Sequence, residues 1–471
     1  MTAAMPEKDP MGLLDLPLEI LKMICAALCL HCQETENVGM PPGYFEHDRA
    51  NRQGVISLCR VSKTLRVVAQ PFLYHSVLYQ WIPGDSSSIF HTIIHRPALA
   101  EWVKKLDVIC DVRKCTQFPS PEEVKEINET AKQLCMLPTN GLEKERSSWF
   151  LFELLIALCP CLETVNVDIQ TWPGPSMLER RKEELGQQAV TTKLKNICFH
   201  ENNPLSMGFN ASVVTTLLRS SPKLQHLKFA MFISTHGHSV NMFQGKSVRT
   251  LRTIHMEDCD MPDKRYSRSF LTDLITHAPN IKSFWYSCYF RSSTQVTRHM
   301  PFPRMLGFLE PLKHSLVSLD IDLTRDEDSK RAENVVNRGL LKSFTNLEKL
   351  GLDDTLFCMH RAEPTRDPTC LIEQIPLKLK LLTLRIHEDS PAWEDLTMLG
   401  KYGGWLPNLR TVVVQTITSH PVDQDPDEEG TFEVPSHVNG EHLKELFNRN
   451  GVQLRFKAPK SSYKEEGNTL V

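Results

Sequence analysis

The chain has 471 residues, of which 41% are hydrophobic and 24% are charged, with a formal net charge of -3. This composition is typical of a soluble globular protein, and the small negative charge argues against a general attraction to nucleic acid or to membranes. The 14 cysteines have scattered spacings and no signal peptide is recognised, which predicts reduced thiols and a location in the cytoplasm or nucleus.

The first predicted element, after residues 1–11 that we predict to be disordered, is an unusually apolar helix. From Pro17 to Cys32 only Glu19 and Lys22 carry a full charge. Proline suits the first helical position, and an acidic residue in the first turn faces the positive end of the helix dipole. The stretch is too short and too interrupted to cross a membrane. An amphipathic helix normally keeps a wet face, so we expect protein to cover this one on more than one side.

A polar loop at residues 33–54 and a second amphipathic helix are predicted next. The apolar residues of that helix recur at intervals of three and four: Leu58, Val61, Leu65 and Val68. Pro71 is expected to end this helix or to begin a short third segment that reaches Val77. Three short helices hold too few apolar residues for a robust core. The module at residues 12–80 is therefore predicted to complete its core against another surface.

The two apolar blocks together, "LLDLPLEILKMICAAL" and "LCRVSKTLRVVAQPFLYHSV", resemble an F-box of the fungal kind, although the loop between them is longer than in that family. An F-box docks on a Skp-type adaptor, which joins it to a cullin scaffold with a RING subunit, while the rest of the chain holds a protein substrate. The alternative is a plain helical cap on a larger domain. The resemblance implies that the adaptor contacts Leu16, Pro17, Ile20, Ile24, Leu28, Leu58, Val61 and Leu65.

One strand-like pattern recurs along the rest of the chain: an apolar residue, two variable, an apolar, one variable and an apolar. Copies begin at Val103, Leu162, Leu194, Leu224, Leu251, Ile281, Leu316, Leu347 and Leu409, with further copies in "LKLKLLTLRI" and "VQLRF". Most starts are about 30 residues apart, a period typical of repeat proteins. Helical stretches lie between the copies, and proline ends several of them.

Stacked units of helix, turn and strand can share one continuous core, which no single unit can build. Strands joined by helical crossovers run parallel. The pattern resembles a leucine-rich repeat, so we predict an α/β fold in which the F-box-like helical module precedes a leucine-rich-repeat-like solenoid at residues 81–457. This solenoid carries an insertion at residues 111–148 that contains one helix, and a disordered tail follows at residues 458–471. A compact α/β fold is the alternative.

A protein substrate is expected on the outward face of the predicted strands, where alternate side chains point away from the core. The outward residues have mixed charge, which suits a protein or peptide better than a nucleic-acid backbone. Trp285, flanked by His255 and Lys228, is the predicted anchor, because aromatic residues dominate protein interfaces. The alternative is that Trp285 packs against the loop that follows it.

Cys29 and Cys32 have the C-x-x-C spacing of metal and redox sites. Structural zinc takes four ligands, and the other candidates near in sequence are His31, His47 and Cys25, so we predict free thiols, no metal and no cofactor. Nucleotide-binding, hydrolase and metalloprotease motifs are missing from the sequence. We therefore predict no catalytic residue, and a non-catalytic receptor subunit of a ubiquitin ligase. One alternative is a repeat scaffold that binds an adaptor without ligase assembly, and another is an enzyme that uses the cysteine pair.

Overall fold

The structure is a computed structural model that describes residues 12–33, 44–80, 87–109, 121–134, 136, 148–168, 193–200, 217–218, 220–230, 248–259, 265–288, 300–323, 339–357, 370–417, 435 and 438–457. Two units divide the chain: one holds residues 1–206 and 212–228, and the other holds residues 207–211 and 229–471. The tails predicted at residues 1–11 and 458–471, and most of the insertion at 111–148 outside its helix, fall beyond the described residues.

The described part of the first unit begins with helices and continues into strands. Its helices are α1 (Leu18–Ala27), α2 (Leu30–Gln33), α3 (Tyr44–Val61), α4 (Lys63–His75), α5 (Ser87–His95), α6 (Pro97–Ala100), α7 (Pro121–Gln133) and α8 (Ser148–Leu158). Its strands are β1 (Ser76–Gln80), β2 (Lys105–Ile109), β3 (Thr164–Asp168), β4 (Asn196–His200) and β5 (His226–Ala230), the last of which contains the division between the units.

The described part of the second unit alternates strands with helices or short 3-10 turns. Its strands are β6 (Thr253–Glu257), β7 (Ser283–Ser287), β8 (Ser318–Asp322), β9 (Lys349–Asp353), β10 (Leu381–His387), β11 (Thr411–Ile417) and β12 (Gln453–Lys457). Its helices are α9 (Arg265–His277), α10 (Phe302–Leu309), α11 (Asp354–Phe357), α12 (Cys370–Gln374), α13 (Ala392–Tyr402) and α14 (Gly440–Arg449).

The strands form an open, parallel sheet whose spatial order is the chain order, β1 to β12. The predicted α/β class and parallel strands are therefore confirmed, and each strand-like sequence pattern corresponds to one of β2 to β12. The pattern's leucines are the reason: Leu319 on β8 pairs in register with Leu350 on β9, and both side chains are almost fully buried. Each apolar row on one strand lies beside the row of the next strand, so the core runs along the sheet.

Asparagine side chains tie successive turns together in the second unit. Asn280 donates from Nδ2 to the carbonyl oxygen of Arg249 at 2.8 Å. Asn346 and Asn408 make the equivalent hydrogen bonds to His314 at 2.6 Å and to Leu377 at 3.0 Å. These amides satisfy carbonyls that the parallel strands leave at the turns. Each of these asparagines lies just before a strand of the sheet.

Strand β1 lies in a segment that was predicted to be helical. Ser76 ends α4 in an extended conformation, and the chain then pairs with β2 from Ser76–Lys105 to Gln80–Ile109. The side chain of Val77 is buried. The sheet therefore begins inside the module predicted at residues 12–80, since pairing with a neighbouring strand overrides a weak local preference.

The predicted loop at residues 33–54 is wrong over its second half. Helix α3 begins at Tyr44, ahead of the apolar residues that identified it. The stretch from Glu46 to Gln53 is polar but contains glutamate, arginine, alanine and glutamine, which favour helix. Anchored by the buried side chain of Val55, these residues extend the helix into a segment whose polarity had indicated a loop.

The predicted second helix is in fact two helices, divided at Ser62 rather than at Pro71. Ser62 caps α4, since its Oγ accepts a hydrogen bond from the amide of Leu65 at 3.1 Å. Pro71 lies within α4, where it removes the N–H donor that the carbonyl of Val67 would use. The side chain of Val67 is 76% exposed, so that side of the helix faces solvent, where the missing hydrogen bond costs least.

Replacing Ser62 by alanine is expected to lower the free energy of unfolding by about 1 kcal/mol, because the first turn of α4 loses its side-chain cap. Ser57→Ala is the matched control. The hydroxyl of Ser57 only back-bonds to the carbonyl of Gln53 at 2.9 Å within α3, an interaction that adds little to a helix. Denaturant unfolding of both variants measures the difference, and equal losses would contradict a capping role.

The helix predicted within the insertion is α7, and its apolar residues pack into the first unit, to which the helix belongs. Ile127 and Ala131 on α7, and Met136 after it, are buried. Their burial shows that the helix adds to the core of this unit.

Candidate functional site

Helices α1, α3 and α4 share a small apolar core. Its buried members are Leu21, Cys25, Val55, Cys59, Leu65, Val68 and Ala69, and the half-buried side chains packed against them are Leu16, Leu28, Leu58, Phe72 and Leu73. Helix α4 supplies three of the buried side chains and packs against both α1 and α3. Part of the apolar surface of these helices lies outside this core.

Large apolar side chains are exposed on the same helices. Among the described residues these are Leu13, Leu14, Leu18, Ile20, Met23, Val61 and Val67, with exposures from 39% to 76%. The other large apolar side chains that are exposed in the described residues are Leu377, Tyr402 and Trp405. Single exposed apolar residues are normal, whereas larger contiguous apolar patches are typical of interaction surfaces. We call the seven N-terminal residues the apolar helical surface.

The predicted adaptor contacts fall into three groups in the structure. Pro17, Ile20 and Val61 are exposed and available to a partner. Leu16, Ile24, Leu28 and Leu58 are half-buried. Leu65 is only 1% exposed and belongs to the core. Its spacing within α4 directs it towards α1 and α3, so its part in adaptor binding stays a prediction.

On the strand face of the second unit, His255 and Trp285 lie side by side. They are paired in register on β6 and β7, and their rings make an edge-to-face contact with centroids 3.9 Å apart. Both side chains are half-buried. A tryptophan held in this way presents a rigid aromatic edge beside an imidazole.

Lys228 differs from the prediction, because its side chain is only 5% exposed. It does not offer a free ammonium to a substrate. Neighbouring outward positions in the first unit are also buried, and Asn166 donates from Nδ2 to Asp107 Oδ1 at 2.5 Å across β3 and β2. Strand alternation gives the direction of a side chain, but it does not reveal what covers that side chain.

Further along the face, Arg385 on β10 binds carboxylates from two other strands. Its Nε lies 2.6 Å from Asp353 Oδ1 on β9, and its Nη2 lies 2.6 Å from Asp320 Oδ1 on β8. Asp322 is 3.7 Å away. Gly351 makes this reach possible, because a Cβ at that position would collide with the carboxylate of Asp320. Arg385 thus partly neutralises the carboxylates on the outer face of the later strands.

Burial and neighbouring charges shift the pKa values of Arg385 and Asp353 in opposite directions. Burial alone would lower the pKa of Arg385, but Asp353, Asp320 and Asp322 raise it above its ordinary value, so the guanidinium stays protonated. Burial raises the pKa of the fully enclosed Asp353, while Arg385 and the amide of Leu323 oppose that rise. The guanidinium therefore limits the rise in the pKa of Asp353 that burial causes inside the second unit.

A second aromatic feature was also overlooked. Trp405, in the 3-10 turn after α13, is 66% exposed, and its ring centroid lies 5.5 Å from that of Tyr402. Trp405 is more exposed than Trp285, so it provides a control for any test of substrate contacts.

Cys29 and Cys32 meet two imidazoles in the first unit. Cys29 Sγ lies 3.7 Å and Cys32 Sγ lies 3.4 Å from Nδ1 of His75, the last residue of α4. Cys32 Sγ is 3.9 Å from Nδ1 of His31. One potential ligand atom from each of the four residues lies within 4.8 Å of the others. We call this group the thiol–imidazole cluster; Cys25, an earlier candidate ligand, belongs instead to the module core.

Burial shifts the pKa values of the two buried members of the thiol–imidazole cluster, Cys29 and His75, in the direction that favours their uncharged forms. Burial raises the pKa of the Cys29 thiol to about 12. Burial also lowers the pKa of His75 to about 4, helped by the nearby Lys104. A thiol with a raised pKa is a poor nucleophile at neutral pH.

A second group of potential ligands joins α5 to α7. Glu126 Oε2 lies 2.6 Å from His91 Nδ1, and Glu126 Oε1 lies 2.9 Å from His95 Nε2. The two imidazoles are stacked with their centroids 6.1 Å apart. The carboxylate already bridges both rings, and the His95 side chain is 68% exposed. This arrangement explains how the inserted helix is held in the first unit.

In the part of the chain that the structure describes, no helix combines the length and the apolar character needed to cross a bilayer.

Comparison of the chain with protein-family models finds none that matches, and comparison with curated proteins finds no significant match.

Proposed function

We propose that this chain is the substrate-recognition subunit of an SCF-type E3 ubiquitin ligase and acts in the cytoplasm or nucleus. One observation carries the proposal: most large apolar side chains exposed in the described residues belong to the apolar helical surface. The F-box-like sequence of the same helices supports a Skp-type adaptor as the partner. Exposed Pro17, Ile20 and Val61 are the contacts on which the docking depends, and half-buried neighbours widen the surface.

The physical role of the chain is to bring two proteins together. Through the adaptor it is attached to a cullin and its RING subunit, which recruits the charged conjugating enzyme. A target held on the strand face then meets that enzyme at a high effective concentration. In this mechanism the reactive cysteine belongs to the conjugating enzyme, and this chain contributes binding and geometry.

The strand face of the second unit is the proposed target site. His255 and Trp285 supply an aromatic edge, and Asp320, which pairs in register with Trp285 and is held by Arg385, supplies a half-buried carboxylate. Many protein interfaces combine an aromatic hot-spot residue with a rim of polar side chains. The strand pattern, which resembles leucine-rich repeats, supports a protein rather than a small molecule as the ligand.

Reconstitution with purified Skp-type adaptor, cullin and RING subunits tests the function. We expect the chain to bind the adaptor and, through it, to enter a complex with cullin. Binding of the adaptor with exclusion of cullin would instead favour the scaffold without ligase assembly. If neither protein binds, the proposal is wrong.

Trp285→Ala is expected to weaken target capture by about tenfold or more, the effect of losing one interface hot spot. The measurement is the amount of ubiquitinated target protein formed with the wild-type chain, compared with the amount formed with the variant. Because Trp285 is half-buried, the melting temperature should change little, and adaptor binding should be unaffected. Trp405→Ala is the matched control and should leave capture unchanged. A large fall in the melting temperature of Trp285→Ala would identify the side chain as a packing residue.

A further inference from the structure

We propose that Cys29, His31, Cys32 and His75 form a zinc site that joins the end of α1 and α2 to the end of α4. The site uses two thiols and two imidazoles, a ligand set that structural zinc accepts. The proposal is independent of the function proposed for the chain, since a zinc site would stabilise this module whatever its partner.

The distances in the cluster suit tetrahedral coordination. Zinc bonds of about 2.3 Å to sulfur and about 2.0 Å to nitrogen place ligand sulfur and nitrogen atoms about 3.5 Å apart in a tetrahedron. The observed separations of sulfur from nitrogen are 3.4, 3.7 and 3.9 Å. The ligand atoms all lie within 4.8 Å of one another, so only small side-chain adjustments bring them onto one ion.

The backbone holds the three local ligands in place. Cys29 precedes the single turn of α2, and its carbonyl accepts the amide of Cys32 at 2.9 Å and that of Gln33 at 3.1 Å. This turn directs Cys29 and Cys32 to the same side, since residues three apart share a helix face. His31 lies between them in sequence, and its ring makes an edge-to-face contact with that of His75, with centroids 5.6 Å apart.

The fourth ligand comes from a rigid part of the first unit. His75 is the last residue of α4, and its carbonyl accepts the amide of Lys104 at 3.0 Å. Strand β1 begins at the next residue. A metal bound here therefore fixes the start of the sheet to the apolar helices.

Burial and accessibility favour zinc over an accidental grouping of side chains. Cys29 and His75 are 5% and 7% exposed, whereas Cys32 is exposed and leaves a path for the ion. Two thiolates neutralise a divalent ion, and coordination to a metal deprotonates a thiol. Sulfur and imidazole ligands in a tetrahedral arrangement select zinc over magnesium or calcium.

The test measures metal in the untagged full-length chain purified under reducing conditions. We expect stoichiometric zinc by elemental analysis, and loss of that zinc in Cys32→Ser. This variant removes an exposed ligand and leaves the apolar core untouched, so it should remain folded. Replacing the zinc by cobalt should give the intense visible absorption of tetrahedral thiolate coordination, which Cys32→Ser abolishes. A chelator should lower the melting temperature of the wild type but not that of the variant.

Two controls separate this site from other metal binding. His91→Ala/His95→Ala removes the second group of potential ligands, and Cys161→Ser removes a half-buried cysteine outside the cluster; both should keep their zinc. A wild-type chain without zinc after purification and reconstitution would overturn the proposal. So would zinc that survives Cys32→Ser but is lost from the His91→Ala/His95→Ala variant.

Discussion

Replacing Arg385 by methionine is expected to lower the free energy of unfolding by about 3–5 kcal/mol, because it leaves a buried carboxylate without its counter-charge. Asp353 has no exposed surface and has Arg385 Nε 2.6 Å from its Oδ1. Methionine fills a similar volume, so the loss reports mainly the missing charge. Denaturant unfolding followed by circular dichroism measures the change in the free energy of unfolding. Amide hydrogen exchange on β8 to β10 shows whether the loss of stability is confined to these strands.

The pH dependence of this variant provides a second check. Burial already raises the pKa of Asp353, and removal of the guanidinium raises it further. A carboxyl with a raised pKa in the folded state binds protons that the unfolded chain releases, so its contribution to stability falls as pH rises. The deficit of Arg385→Met should therefore shrink at acidic pH.

Two further variants control for other effects of the substitution. Arg385→Met/Asp353→Asn should recover most of the loss, because the amide is neutral and can still accept the hydrogen bond from Leu323. Asp320→Asn, at a side chain that is 31% exposed, should cost much less. If Arg385→Met were no less stable than Asp320→Asn, the buried pair would not have the importance given to it here.

The double variant Ile20→Asp/Val61→Asp is expected to weaken adaptor binding by about 100-fold or more, the combined effect of two hot spots. Both side chains belong to the apolar helical surface, with exposures of 40% and 65%. Charged residues at these positions would be buried without partners in a complex, whereas in the free chain they remain in water. The melting temperature of the free chain should therefore be nearly unchanged. Titration of labelled adaptor measures the affinity.

Leu377→Asp is the matched control for this prediction. Leu377 is 63% exposed and lies in the second unit. The variant therefore tests whether a charge at any exposed apolar position weakens adaptor binding. Its affinity for the adaptor should equal that of the wild type. Equal losses in both variants would indicate non-specific hydrophobic contact.

The sheet could be predicted because its signal repeats. Each of β2 to β12 carries an apolar pattern whose inner residues, such as Leu319 and Leu350, pair with their equivalents on the next strand. Strand β1 has no such pattern, and it was missed because pairing with β2 alone determines its conformation. The predicted start of helix α3 was too late, because its polar first turns carry no periodic apolar residues.

The sites were predicted less well, because they depend on residues far apart in sequence. His75 lies 46 residues from Cys29, and nothing in either local sequence indicates that they meet. The burial of Lys228 and Leu65 depends likewise on neighbours that their own strand or helix does not specify. Exposure of Ile20 and Val61 could be expected, since the helices had more apolar surface than a small core can cover.

Hydrogen–deuterium exchange of the full-length chain, with and without purified Skp-type adaptor, tests the central claim most directly. We predict that the adaptor protects α1 and the end of α3, which carry the apolar helical surface, and leaves β6 to β12 unchanged. Adaptor binding without protection of these helices, or protection confined to the strands of the second unit, would contradict the account.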